Sequence, residues 1–146
     1  MVVFEQHATA GGLMRTNIPA FRLPANVLDE EIGYVTGMGV DLRLGAPVAS
    51  MRELLAAGLD PGFVGTGAPR GKDLGLPGRD ADRIHIGIQW LESVAFRHVE
   101  RIGGRVLIIG VGNTAMDCCR TALRLGAQDV RVMARKPRGF FKASEW

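Results

Sequence analysis

"VLIIGVGNTAMDCCRTALRLGAQDVRVMARK", residues 106–136, is the stretch on which the fold turns. It begins with a continuous apolar run, passes Gly110 and Gly112, and continues through a segment with helical spacing. A second apolar run follows, closed by two cations. A continuous apolar run of this length suits a strand in a parallel sheet covered on both faces. "RVLIIG" at 105–110 and "DVRVMA" at 129–134 read as strands, and 113–125 reads as the helix between them. Together they make one βαβ unit.

The turn between the first strand and the helix is Gly110-x-Gly112-x-x-Ala115. In this pattern the first glycine permits a tight turn and the second lets the backbone approach a pyrophosphate. The small third residue lets the helix pack close to its strand. The helix N-terminus then offers N–H groups and the positive end of its dipole to an anion. A bare motif of this kind is weak, but here the strand, helix and second strand all fall where a dinucleotide site needs them. The alternative is a tight strand-to-helix turn that serves packing alone. An NAD site places Asp or Glu about 20 residues further on, for the ribose 2′-hydroxyl. Here that region is "VMARKPR", with Arg135 and Lys136 and no acid. Two cations suit the extra 2′-phosphate of NADP: Arg135 with a forked contact and Lys136 with a point charge. A solvated basic turn is the alternative reading.

Outward from this unit, strands and helices alternate. "VVFEQ" at 2–6 reads as a strand, and 11–24 as a loop broken by Gly11, Gly12, Pro19 and Pro24. A helix is predicted over 25–37, with Leu28, Ile32 and Val35 on one face. "VDLRL" at 40–44 reads as a short strand. Ser50 and Glu53 form a capping box that opens the helix "MRELLAAG". "GFVGTG" at 62–67 reads as a short buried strand and 68–84 as a loop with a turn at Pro77-Gly78. A further helix is predicted near 86–100, with Ile88, Leu91, Val94 and Ala95 as its apolar side. The alternation implies an α/β fold with parallel pairing. The long turn-rich break suggests two pieces, 1–80 and 81–146.

Composition narrows the classes. The chain has 146 residues, 47% of them hydrophobic and 23% charged, which is a globular balance. Glycine supplies 20 residues, about twice the usual ~7%, so tight turns and close backbone approaches are frequent. A net charge of +3, spread along the chain, is too weak to argue for nucleic acid. No run approaches the ~18 apolar residues of a membrane span, and the first residues carry no signal-peptide pattern; a cytoplasmic protein is the default expectation. Cys118 and Cys119 are neighbours and point apart on a helix, so they read as helix cysteines rather than a disulfide. His7, His85 and His98 have no metal-ligand spacing. No side chain presents itself as general acid, base or nucleophile, so no catalytic residue is named.

Three stretches taken in order carry a resemblance. "GGLMRTNIPAFRLP", "GTGAPRGKDLGLPGRD" and "VLIIGVGNTAMDCCRTALRLGA" are similar to the NADPH-dependent glutamate synthase small subunit family, which has a pyridine nucleotide-disulfide oxidoreductase-like fold. The flavin and NADPH part of dihydropyrimidine dehydrogenase shares the likeness. The resemblance implies an α/β, Rossmann-like architecture with parts of two dinucleotide-binding domains, one for FAD (1–80) and one for NADPH (81–146). It implies an oxidoreductase that passes electrons from NADPH to FAD and onward through iron–sulfur clusters, held elsewhere in the parent protein or a partner. The larger enzyme subunit, or the missing parts of the same polypeptide, would be the partner.

On the FAD side the resemblance places Glu5 at the ribose-binding acid position, Gly12 and Leu13 beside the flavin, and Arg22 as a cation toward the FAD. It places the backbone of Val48 at the adenine and Thr66 and Gly67 near the FAD. A Met stands at 14 and a Gly at 65 where the family pattern has Leu and Ala. On the NADPH side it places Gly110, Val111, Gly112, Asn113 and Thr114 in the phosphate loop, Arg135 and Lys136 at the 2′-phosphate, and Lys142 as a third cation. "PRGFFKASEW" departs from the pattern, which leaves the electron acceptor open. Glu5 follows Met1 by four residues, whereas a Gly-rich turn precedes such an acid by about 20. The expectation is therefore a middle portion of a longer flavoprotein. The competing expectation is an NADP(H)-binding or structural module without activity of its own.

Overall fold

The structure, a computed structural model, describes residues 1–60 and 62–143. It contains two small parallel sheets with helices between and against them. The first sheet pairs β1 (Val2–Phe4) with β2 (Asp41–Arg43) in parallel, Val3 opposite Leu42. Between them run α1 (Gly12–Asn17) and α2 (Ala25–Gly37), and α3 (Met51–Ala56) follows β2. The second sheet pairs β3 (Arg105–Ile109) with β4 (Asp129–Met133), Leu107 opposite Arg131. α5 (Asn113–Arg124) joins these two strands, and α4 (Gly87–Ala95) precedes them. Both connections are those a parallel pair requires, since parallel neighbours need a crossover. A mixed α/β fold with short parallel sheets is thus observed as expected.

The core lies where α4 and α5 meet the second sheet. Trp90, Leu91, Cys118, Ala122 and Ala127 are buried there, with Val94, Ile102, Val106, Ile108, Leu125 and Val130 packed around them. Ala122 is fully enclosed. Gly87 sets the approach of α4 to α5. A Cβ there would stand 3.2 Å from Cys118 Sγ, and the Gly87 carbonyl accepts from that thiol at 3.7 Å. Among the described residues no helix is long and apolar enough to cross a membrane.

Four local expectations need correction. Residues 11–24 are not all loop, because α1 occupies Gly12–Asn17. It exists by tertiary packing: Thr16 is buried and Asn17 Nδ2 donates to the Ile88 carbonyl of α4 at 2.8 Å. The turn into α1 needs Gly11, whose φ of 125° is disfavoured for any side chain. Residues 62–67 are not a buried strand. They run as exposed irregular chain with Phe63 fully in solvent, and β-structure needs a partner that is absent among the described residues. α4 stops at Ala95 rather than near 100, because Arg97 turns to φ 60° and the His98 N–H folds back to the Ser93 carbonyl. Ala95 itself is exposed and Trp90 takes the inward place. Finally, β3 is covered on one face only. Val106 and Ile108 point to the helices, whereas Leu107 and Ile109 remain about half exposed.

α2 spans 25–37 as predicted, but only Leu28 of its expected apolar face is buried; Ile32 is half-buried and Val35 exposed. The Ser50 cap is present, accepting from the Glu53 N–H at 3.4 Å.

Candidate functional site

The second sheet builds the better-defined half of the site. At the carboxyl end of β3, the Gly110 N–H donates to the Met133 carbonyl at the end of β4, 2.9 Å away. This bond brings the loop after β3 beside the residues that leave β4, the place where open α/β sheets bind ligands. Gly110 has φ 130°, a conformation that side chains disfavour, and its missing Cβ faces Ala115 at 3.8 Å. Gly112 is the N-cap of α5, and no side chain caps the helix there. Among the described residues a Cβ on Gly112 would meet nothing within 4 Å, so among them the space in front of the helix start is open. An open, uncapped N-terminus of a three-turn helix has the donors and dipole that a phosphate requires. The chemistry of this loop therefore fits a dinucleotide pyrophosphate.

The cations follow β4 in the chain. Arg135 and Lys136 are exposed just beyond β4, and Lys136 Nζ lies 5.4 Å from the centre of the Phe140 ring. Phe140 is carried by a short 3₁₀ turn, Arg138–Phe140. The chain then returns to the loop: the N–H groups of Lys142 and Ala143 donate to the Val111 carbonyl at 3.3 and 3.1 Å. Lys142 is thus placed beside the loop by its own backbone.

The residues expected on the flavin side fall in two groups. Glu5 is half-buried just past β1, and its Oε1 accepts from the His7 N–H at 2.8 Å. Beside it, Phe4 and Val48 line an open cavity of about 250 Å³ that reaches Ser50 and Leu54. Gly12 and Leu13 open α1, and the place of a Cβ on Gly67 is 3.7 Å from Leu13 Cδ1. Thr66 and Gly67 are exposed. Arg22 stands apart from both groups: its Nη1 donates to Asp117 Oδ2 on α5 at 2.7 Å. Glu5 is not among the residues that line the cavity at Phe4 and Val48.

Asp117 is a buried carboxylate that motif reading passed over. It is 3% exposed in the second turn of α5. The signal was present: a carboxylate among Met116, Cys118 and Ala122, on a stripe that otherwise faces the core, requires a cation. Its neighbour Cys118 is buried, and burial together with the charge of Asp117 pushes that thiol up to about 12. Cys118 is therefore a packing residue, not a nucleophile. Among the described residues no His, Cys, Asp and Glu group could hold a metal ion.

The chain is similar in sequence to known proteins. The chain is 34% identical to the glutamate synthase [NADPH] small chain of Escherichia coli, over 92% of this chain and 31% of that one. The chain is thus similar to that small chain over most of its own length. It is likewise 34% identical to the NADPH-Fe(3+) oxidoreductase subunit beta of Geobacter sulfurreducens, over 93% of this chain and 21% of that protein. The NADP(+)-dependent formate dehydrogenase subunit beta of Moorella thermoacetica is 32% identical over 94% of this chain and 20% of its own length. The chain spans between about a fifth and a third of the length of these relatives. No protein-family model matches it.

Proposed function

We propose that this chain is the NADPH-binding and flavin-facing portion of an oxidoreductase that moves electrons from NADPH to FAD. The observation that carries the reading is the Gly110–Thr114 loop, open among the described residues at the uncapped start of α5, with Arg135 and Lys136 exposed just beyond β4. The names of the relatives, which specify NADPH or NADP(+), support the same cofactor. When bound, the two cofactors supply the hydride chemistry, and the protein supplies position and electrostatics. In this reading the backbone at Val111–Thr114 holds the pyrophosphate, and Arg135, Lys136 and Lys142 hold the 2′-phosphate. Glu5 accepts from the FAD ribose, Val48 borders the adenine, and Gly12, Leu13, Arg22, Thr66 and Gly67 border the rest of the FAD. The division into a flavin part (1–80) and a nucleotide part (81–146) is supported by the separate pairing of β1 with β2 and β3 with β4. An iron–sulfur or partner site would receive the electrons. The exposed outer face of β3 favours a second reading, a binding module that works only when covered by further structure.

The test is a titration of the purified protein with NADPH and NADH. NADPH should bind more tightly, and R135A/K136A should abolish most of the preference. Charge-assisted contacts contribute about 1.5–3 kcal/mol each, so the preference lost should be tenfold or more. Equal affinities in the unaltered protein would refute the assignment. A flavin spectrum retained after addition of FAD and desalting separates the flavoprotein from the module.

A further inference from the structure

Among the described residues Asp117 is the only buried carboxylate. Oδ2 accepts from Arg22, which lies 95 residues away in sequence, while Oδ1 has no hydrogen-bond partner among the described residues. Thr121 Oγ1, one turn further along α5, is also buried and unpartnered. Arg22 is thus the counter-charge that the structure provides for this carboxylate. It arrives on a segment docked by two more contacts. The Arg124 guanidinium lies 3.8 Å over the Phe21 ring, and Asn17 Nδ2 bonds the Ile88 carbonyl of α4.

Asp117 is four residues past Asn113, so it lies about 6 Å along the axis from the start of α5. That start is where the proposed pyrophosphate would bind. An uncompensated carboxylate one turn behind a phosphate site opposes the anion through a poorly screened interior. We propose that Arg22 neutralises Asp117 and thereby sets the affinity of the nucleotide loop. Occupation of the loop is then linked to docking of residues 17–22. By linkage, a nucleotide in the loop tightens that docking as much as the docking favours the nucleotide. Arg22 acts here as a positioning residue at a distance, through Asp117. The proposal rests on the NADP(H) reading of the loop and not on the flavin reading.

The experiment is calorimetric titration of the purified protein with NADP⁺ at pH 8 and low salt, comparing wild type, R22A, R22K, D117N and R22A/D117N. R22A should raise Kd about fivefold or more, and R22K should retain most of the affinity. D117N should bind as tightly as wild type or more so, and R22A/D117N should return to within about twofold of wild type. A merely structural ion pair predicts the opposite for D117N, because both single variants would then weaken binding alike. Weaker binding by D117N would overturn the proposal, also where R22A fails to fold. Wild-type affinity in folded R22A would overturn it alone, leaving the NADP(H) reading intact. No binding of NADP⁺ by the wild type would overturn the reading and the proposal together.

Discussion

Replacing Gly110 and Gly112 separately by alanine should divide the stability of the loop from its binding. Gly110 sits at φ 130°, outside the regions that L-residues populate readily. Holding a side chain there costs about 1–3 kcal/mol. The space itself is adequate, since the nearest atom to the new Cβ is Ala115 Cβ at 3.8 Å. G110A should therefore lose about 1–3 kcal/mol of folding free energy through backbone strain alone. Gly112 differs on both counts. Its φ of −91° and ψ of 176° suit alanine, and among the described residues nothing lies within 4 Å of the added Cβ. Restricting the unfolded chain favours G112A by about 0.4–1 kcal/mol. Alanine is a poorer N-cap than glycine, and its penalty, about 0.5–1 kcal/mol, offsets that gain. G112A should thus unfold within about 0.5 kcal/mol of wild type. Its methyl group would nevertheless occupy the space in front of α5 and keep a pyrophosphate from the backbone N–H groups. NADPH affinity should fall at least tenfold. Urea unfolding and NADPH titration of both variants provide the assay. A G112A protein that binds NADPH as wild type does would refute the use of this space for phosphate. A G112A protein destabilised by more than about 2 kcal/mol would refute the claim that the space is open.

Three further outcomes are expected. Burial, followed by the charges of Asp117 and Cys119, raises the Cys118 thiol from 9.0 to about 12. The folded state keeps a proton that the unfolded state loses, so this contribution is complete below pH 9 and declines as pH rises toward 12. Urea unfolding at pH 7 and 10.5 should show wild type losing about 2 kcal/mol more than C118A, and equal losses would refute the burial argument. Leu91, 3% exposed in the core, should cost about 2–5 kcal/mol on truncation to alanine, read from the urea midpoint; a loss under 1 kcal/mol would mean that α4 is loosely held. Leu107, Ile109 and Met133 expose apolar area on the uncovered face of the two-stranded β3–β4 sheet, so sedimentation should show association rising with concentration. A concentration-independent monomer would oppose this.

The βαβ unit at 105–134 was legible because each of its determinants is local. Apolar runs specify β3 and β4, helical spacing specifies α5, and Gly110, Gly112 and Ala115 make the turn that joins them. The Ser50 cap and the turn at Pro77-Gly78 were legible for the same reason: a hydroxyl three residues from an N–H, or a glycine at φ 78°, needs no distant partner. Tertiary structure alone decided the rest. Six residues of α1 carry no periodic signal and become helical because Asn17 reaches Ile88, 71 residues away. "GFVGTG" has the composition of a strand and stays exposed, since a strand exists only with its neighbour. Apolar sequence in β3 could not reveal that helices would cover one face and leave Leu107 outside. Likewise, Arg22 could be read as a cation for a ligand, but its pairing with Asp117 spans 95 residues. Propensities and turn chemistry act over a few residues and so are written in the chain. Burial and charge compensation depend on what the folded chain brings together, and only the three-dimensional arrangement determines them.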